Sequence, residues 1–268
     1  MVDYCFAYRY FIEDQFKCSY SFITKFNAKT YLLQGTKADE YLEKLMELPH
    51  DFVISVDEDA FLFGKEELHE LLKYVDENNI DICGMRDGGS VPRGGHPLVI
   101  NPFFLILNVK NLKARFNKND IKRDVDFEKY KPLVTDDVIN KNNPHHYNLD
   151  VMEEPYYPFF FYLLDINAKF YYLDSRKWQN DPGLIWEGEH VKIATMLKNN
   201  KGEDFLLHCW LSSYLDPTTR RPRYNTLYAQ AKELERGFKF RSYNLYHRIH
   251  RKLFATLILK HPKRDDSY

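Results

Sequence analysis

Asp51-Phe52-Val53-Ile54-Ser55-Val56-Asp57-Glu58-Asp59-Ala60-Phe61-Leu62 is the stretch on which the reading of this chain turns. Phe52 to Val56 carry no charge and have the length and β-branched content of a strand covered on both faces, the kind found in mainly parallel sheets. Three acids follow at once. Ligands of open α/β sheets bind beyond the carboxyl ends of the strands, which is where Asp57 and Asp59 are expected. Carboxylates one residue apart can turn oxygens toward one hard cation, and Mn2+ or Mg2+ held there neutralises a diphosphate. The same pattern also occurs on solvated loops.

Working outward, the chain alternates β-rich runs with helical periods from Lys29 onward, the signature of an α/β domain. Thr30 to Leu33 reads as a strand, and a helix from about Thr36 places Tyr41, Leu42, Leu45 and Met46 on one face. After the acids, a helix over 65–77 sets Leu68, Leu71, Leu72 and Val75 at i, i+3, i+4 and i+7, and a strand at Ile80 to Met85 closes a β-α-β-α-β unit. Gly88-Gly89 and Gly94-Gly95 mark loops, and β character resumes over Leu98 to Leu107 around Asn101-Pro102. Residues 113–150 are polar and aperiodic and read as an excursion. Further elements are expected as a helix near 158–165, a strand at Lys169 to Leu173, a loop over 174–189, a short helix near 190–199 and a last strand at Phe205 to Trp210. The composition changes after Asp216-Pro217, so the body is placed at 1–216 and a basic helical extension at 217–268.

The whole chain has 268 residues, 44% hydrophobic and 29% charged, which excludes both a disordered chain and an integral membrane protein. No apolar run approaches the ~18 residues of a membrane span. Met1 to Lys17, interrupted by Asp3, Arg9, Glu13 and Asp14, does not read as a secretory signal. Cys5, Cys18, Cys83 and Cys209 form no C-x-x-C pair, so a reducing cytoplasm is the simplest setting. The net charge of −1 argues against a nucleic-acid partner, yet it is unevenly spread: residues 217–268 hold 13 Lys/Arg against 4 Asp/Glu. In that tail Tyr246, Ile249, Leu253 and Leu257 form an apolar stripe flanked by Arg248, Arg251 and Lys252. Such a helix suits an anionic membrane surface, or packs on the body.

The acidic triplet at a strand end resembles the D-x-D motif of GT-A fold glycosyltransferases that use nucleotide sugars. The resemblance spans about residues 29–210 and implies a Rossmann-like, mostly parallel central sheet flanked by helices. It assigns Asp57 to the ribose or the metal and Asp59 to Mn2+ (or Mg2+) bridging the donor's phosphates. His208, in Phe205-Leu206-Leu207-His208-Cys209-Trp210, takes the place of the late histidine that completes the metal shell in many members; a lone histidine on an apolar strand is also commonly a hydrogen-bonded core residue. His190, near Glu187 and Glu189, is the rival ligand. No first strand of the family's kind is read before residue 29.

Glu153-Glu154, ahead of Pro155 and an apolar helix, resembles the acidic pair of inverting members, in which a carboxylate takes the acceptor hydroxyl's proton. A carboxylate suits that task when its surroundings raise its pKa toward neutrality, and two acids at a helix start are also favourable in their own right. Asp87 and Arg93 are candidates for donor contacts, with His96 beside them. The expected function is therefore transfer of a sugar from a nucleoside diphosphate donor to a hydroxyl of a glycan or lipid-linked acceptor, with inversion. Two other classes stay open, a sugar nucleotidyltransferase and a noncatalytic carbohydrate-binding module. Pyrophosphate exchange would mark the first, and absence of donor turnover the second. No P-loop, G-x-G-x-x-G fingerprint, nucleophile elbow or H-E-x-x-H helix occurs.

Overall fold

The computed structural model describes residues 2–88, 94–136, 138, 147–186, 188–211 and 220–237. Its centre is a six-stranded sheet in the order β2-β1-β3-β6-β5-β7. These strands are β1 (Tyr4–Tyr10), β2 (Lys29–Gln34), β3 (Phe52–Asp57), β5 (Ile82–Arg86), β6 (Ile100–Asn108) and β7 (Phe170–Tyr172). β1 runs parallel to β2 and β3, and β5 parallel to β7, whereas β6 is antiparallel to both β3 and β5. Five strands thus point one way and β6 alone is reversed.

Alternation along the strands builds two cores, one on each face of the sheet. Phe6 and Tyr8 of β1, Ile54 and Val56 of β3, and Phe104 and Ile106 of β6 face the helix α3 (Lys65–Glu77) through Leu68, Leu71, Leu72 and Val75. Cys5 and Ala7, Val53, and Leu105 and Leu107 face the other way, toward α2 (Ala38–Leu45), the short α4 (Val109–Leu112) and α5 (Tyr157–Asp165). The inner strands β3 and β6, covered on both faces, must therefore be apolar along most of their length and read as continuous hydrophobic runs, whereas β2 at the sheet edge is part-exposed. All four cysteines carry free thiols.

A second, antiparallel sheet leans on the first in the order β4-β12-β11-β8, formed by β4 (Ala60–Leu62), β8 (Ser175–Lys177), β11 (Thr195–Lys198) and β12 (Asp204–His208). β9 (Leu184–Trp186) and β10 (Glu189–Val191) form a separate hairpin. A third core joins this sheet to α1 (Glu13–Ile23) and to the helix α6 (220–237) through Phe22, Phe61, Phe63, Met196, Leu207, Tyr224, Leu227 and Ala231. The excursion over 113–150 contains the short helical turns Lys118–Asp120, Phe127–Lys129 and Lys131–Leu133.

Three expectations are corrected. The stretch 174–189 is not a bare loop, since it holds β8 and β9. The sheet does have a strand before residue 29, and β1 lies at its heart between β2 and β3; Tyr4-Cys5-Phe6-Ala7-Tyr8 has the aromatic content of a strand. The segment near 190–199 is not a helix but β10 and β11. Its β-branched Val191, Ile193 and Thr195 favour the extended chain, and pairing of Met196 with Leu207 and Arg176 fixes it. Among the described residues no helix is long and apolar enough to cross a membrane. The stripe from Tyr246 to Leu257 lies outside the described residues.

Candidate active site

β1 and β3 run side by side to the same carboxyl edge, with Arg9 directly opposite Asp57 in the register. Their side chains meet there in a two-pronged ion pair: Arg9 Nη2 donates to Asp57 Oδ2 at 3.0 Å and Nε to Oδ1 at 3.3 Å. Burial still lifts the Asp57 carboxyl above its ordinary pKa, against the pull of Arg9. Glu58 turns the other way and accepts the backbone N–H groups of Phe11 and Ile12 at 2.8 and 2.7 Å, tying the chain that leaves β1 to the chain that leaves β3.

Asp59 opens β4, which pairs with β12 so that His208 lies opposite Ala60. That register brings Asp59 Oδ1 to 3.0 Å from His208 Nε2, while Cys209 N–H donates to the Asp59 carbonyl. The imidazole is stacked on Phe103, with ring centres 3.7 Å apart and 10° between planes, and Trp210 lies against it at 4.5 Å. Its Nδ1 is buried with no hydrogen-bond partner among the described residues. These groups line an open pocket of about 220 Å³, shared with Glu154, Tyr156, Asn101 and Phe11.

The remaining sequence candidates divide. Glu154 lines the pocket and Glu153 does not; Glu153 is exposed and accepts from Asn148 Nδ2 at 3.0 Å. Asp87 is fully buried behind the pocket lining, where it accepts from Tyr157 Oη at 2.7 Å, Tyr156 Oη at 3.1 Å and Asn101 Nδ2 at 2.6 Å. The loop that holds it folds back so tightly that a Cβ on Gly95 would lie 2.5 Å from the Gly88 nitrogen. His96 is buried, and burial pushes its pKa down to about 4, so it is a neutral core residue at physiological pH. His190 sits on the exposed hairpin 3.1 Å from the Pro182 carbonyl, away from the pocket lining. Arg93 and Glu187 lie outside the described residues.

Sequence reading missed Arg9, Tyr156 and Trp210, which line the pocket. Arg9 was legible in principle, since an arginine near the end of an aromatic β run is placed at the same edge as the acids once β1 is seen. Trp210 gives no local signal.

Among the described residues no group of three or more His, Cys, Asp or Glu is arranged to hold a metal ion. Asp59 and His208 nonetheless fit a substrate-bridged cation. Their 3.0 Å spacing is about that of neighbouring ligands in an octahedral shell with bonds of ~2.1 Å, and Mg2+-like ions commonly take only one or two protein ligands plus water and substrate phosphates. Asp57 has both oxygens engaged by Arg9.

Glu58 yields a testable pH effect. Burial pushes its pKa from 4.5 up to about 7 despite the two backbone hydrogen bonds. A carboxyl raised in the folded state contributes stability that is fully present below pH 4.5 and is lost as the pH climbs through 7. A span of that size corresponds to about 3 kcal/mol. Denaturant unfolding of wild type at pH 4.5 and 8 is expected to show this loss relative to Glu58→Gln; parallel profiles for the two proteins would refute it.

No family model matches this sequence. No curated protein matches it either. Among solved structures, the mannosyltransferase PcManGT from Pyrobaculum calidifontis, in complex with GDP-Man and Mn2+, is similar over 56% of this chain and 56% of its own, with 10% identity and a TM-score of 0.34. The chain thus matches little more than half the length of that neighbour, and the likeness does not define a family.

Proposed function

We propose that this protein is a metal-dependent glycosyltransferase that moves a sugar from a nucleoside diphosphate donor to a hydroxyl of a glycan or lipid-linked acceptor. The observation that carries the reading is the pairing of Asp59 with His208 at 3.0 Å in a pocket at the carboxyl edge of β3. Four carboxylates, those of Asp57, Glu58, Asp59 and Glu154, line that pocket against Arg9 and His208. Arg9 offsets Asp57 and burial shifts Glu58 toward its neutral form, so Asp59 and Glu154 supply the negative charge that a divalent cation would offset for an anionic donor.

Asp59 and His208 would hold Mn2+ or Mg2+, which supplies charge neutralisation to the departing diphosphate. Asp57, oriented by Arg9, faces the donor's hydroxyls as an acceptor of hydrogen bonds. Glu154 takes the proton of the acceptor hydroxyl as that oxygen bonds to the anomeric carbon, and the carbon–oxygen bond to the diphosphate breaks with its electron pair leaving on the nucleotide. Attack from the face opposite the leaving group inverts the anomeric centre. Asp87 contributes from behind, fixing the Tyr156 hydroxyl and the Asn101 amide.

The test is thermal unfolding with UDP, GDP, dTDP and CMP, each with and without Mn2+. One nucleoside diphosphate is expected to stabilise the protein only when Mn2+ is present, by about 2.7 kcal/mol at 100 times its Kd. Absence of any Mn2+-dependent shift across the panel would overturn the reading.

A further inference from the structure

The chain leaves β12 through two residues that ordinarily avoid the conformation they adopt. Trp210 and Leu211 have φ of 57° and 55°, in the left-handed region, although neither is glycine and both line the pocket. Bulky side chains hold this backbone only where the surroundings impose it. The imposing groups come from elsewhere in the chain. Arg223 of α6 donates from Nη1 to the Trp210 carbonyl at 3.0 Å, and Thr195 Oγ1 accepts from the Trp210 indole at 2.9 Å.

Arg223 is itself locked. Its Nε and Nη2 donate to the two oxygens of Asp181 at 2.8 and 2.9 Å, with Arg223 3% and Asp181 1% exposed. Asp181 also accepts the backbone N–H groups of Gly183, Ile193 and Ala194, so its two oxygens take five hydrogen bonds in all. Burial works to raise this carboxyl, but Arg223 and the backbone donors outweigh it and hold the pKa below the ordinary value. Asp181 is therefore held as a carboxylate, and the third guanidinium nitrogen of Arg223, Nη1, reaches the Trp210 carbonyl.

We infer that Arg223 is a positioning residue of the pocket: clamped by Asp181, it imposes the left-handed turn that seats Trp210 against His208, and so fixes the imidazole opposite Asp59. The inference rests on the reading of Asp59 and His208 as the cation-holding pair. Lysine cannot replace Arg223, because one ammonium cannot span both Asp181 oxygens and the Trp210 carbonyl in the planar fork that arginine offers. Residues that orient a metal's ligands typically change its affinity by 10- to 100-fold when altered.

The experiment uses the full chain labelled with 5-fluorotryptophan, whose Trp210 and Trp178 19F signals are assigned by their loss in Trp210→Phe and Trp178→Phe. Mn2+ is titrated in the presence of GDP and, separately, of UDP. In wild type the paramagnetic ion is expected to broaden the Trp210 signal more than that of Trp178. Arg223→Lys is expected to move the Trp210 signal before any metal is added and to raise the Mn2+ concentration for half-broadening by about 10-fold or more. Thr195→Val releases the same indole without disturbing the buried charges, and is expected to act in the same direction if Arg223→Lys does not fold. Broadening in wild type with an unchanged half-point in the folded variants overturns the positioning role alone. No broadening of Trp210 in wild type with either nucleotide overturns the cation reading, and the inference with it.

Discussion

Asp59→Ala is expected to weaken Mn2+-dependent nucleotide binding by about 100-fold or more in calorimetry, with the protein still folded. The size follows from the count of ligands. On the proposed reading, Asp59 and His208 are the pair at coordinating distance among the described residues, so removing the carboxylate would leave a single imidazole on β12. An orienting residue alone is worth 10- to 100-fold in metal affinity, and a direct ligand is worth at least the upper end. The fold survives because Asp59 anchors β4 to β12 through its backbone carbonyl, which the alanine keeps. Asp57→Asn is expected to weaken binding less, since its oxygens are held by Arg9. Unchanged affinity in Asp59→Ala would remove the metal assignment.

Glu154→Gln separates chemistry from binding. The amide keeps the size of the side chain but cannot take the acceptor's proton, so donor affinity should persist while turnover falls by ~10²-fold or more, the usual worth of a general base. Glu153→Gln is the internal comparison. That residue is exposed and bonded to Asn148 outside the pocket, and its amide variant is expected to turn over normally. Equal losses in the two variants, or none in either, would discard Glu154 as the base. NMR of the product's anomeric proton tests inversion separately.

What the sequence showed and what it hid divide along one line, the distance over which information had to be read. β3, its acids and α3 are local objects. A five-residue apolar run, a charged triplet and a 3.6-residue period each declare themselves within a dozen positions, and α3 spans the expected 65–77. β1 was equally local, since Tyr4, Phe6, Tyr8 and Tyr10 alternate through it, but Arg9 on its other face and Glu13 and Asp14 just beyond masked it. β10 and β11 were misread because runs of three and four residues fit either period, and pairing of β10 to β9 and of β11 to β12 and β8 decided it. The site needed still more. Asp59 and His208 are 149 positions apart, and nothing around His208 announces its partner. Arg223 sits among a run of basic residues that looks like a solvated surface, yet it is one of the most deeply placed charges in the molecule.

The stitching of α6 into the body has a kinetic side. Tyr224 donates to carbonyls of Gln15 and Glu58, and Lys25 pairs with Glu235 across 210 positions, so the last described helix closes contacts with nearly the first. Topologies dominated by such distant contacts fold slowly, in milliseconds to seconds, because chain closure must be paid before the contacts return anything. On a ribosome adding roughly 5–20 residues per second, Asp57, Glu58 and Asp59 emerge many seconds before His208 and Arg223. Through that interval the nascent chain carries the acids without the cavity, and Phe22, Phe61 and Phe63 lack the Tyr224, Leu227 and Ala231 that later cover them. Between the synthesis of Phe63 and that of Ala231, the face built from Phe22, Phe61 and Phe63 has no α6 to cover it, and exposed apolar surface of that kind is what makes incomplete chains prone to association.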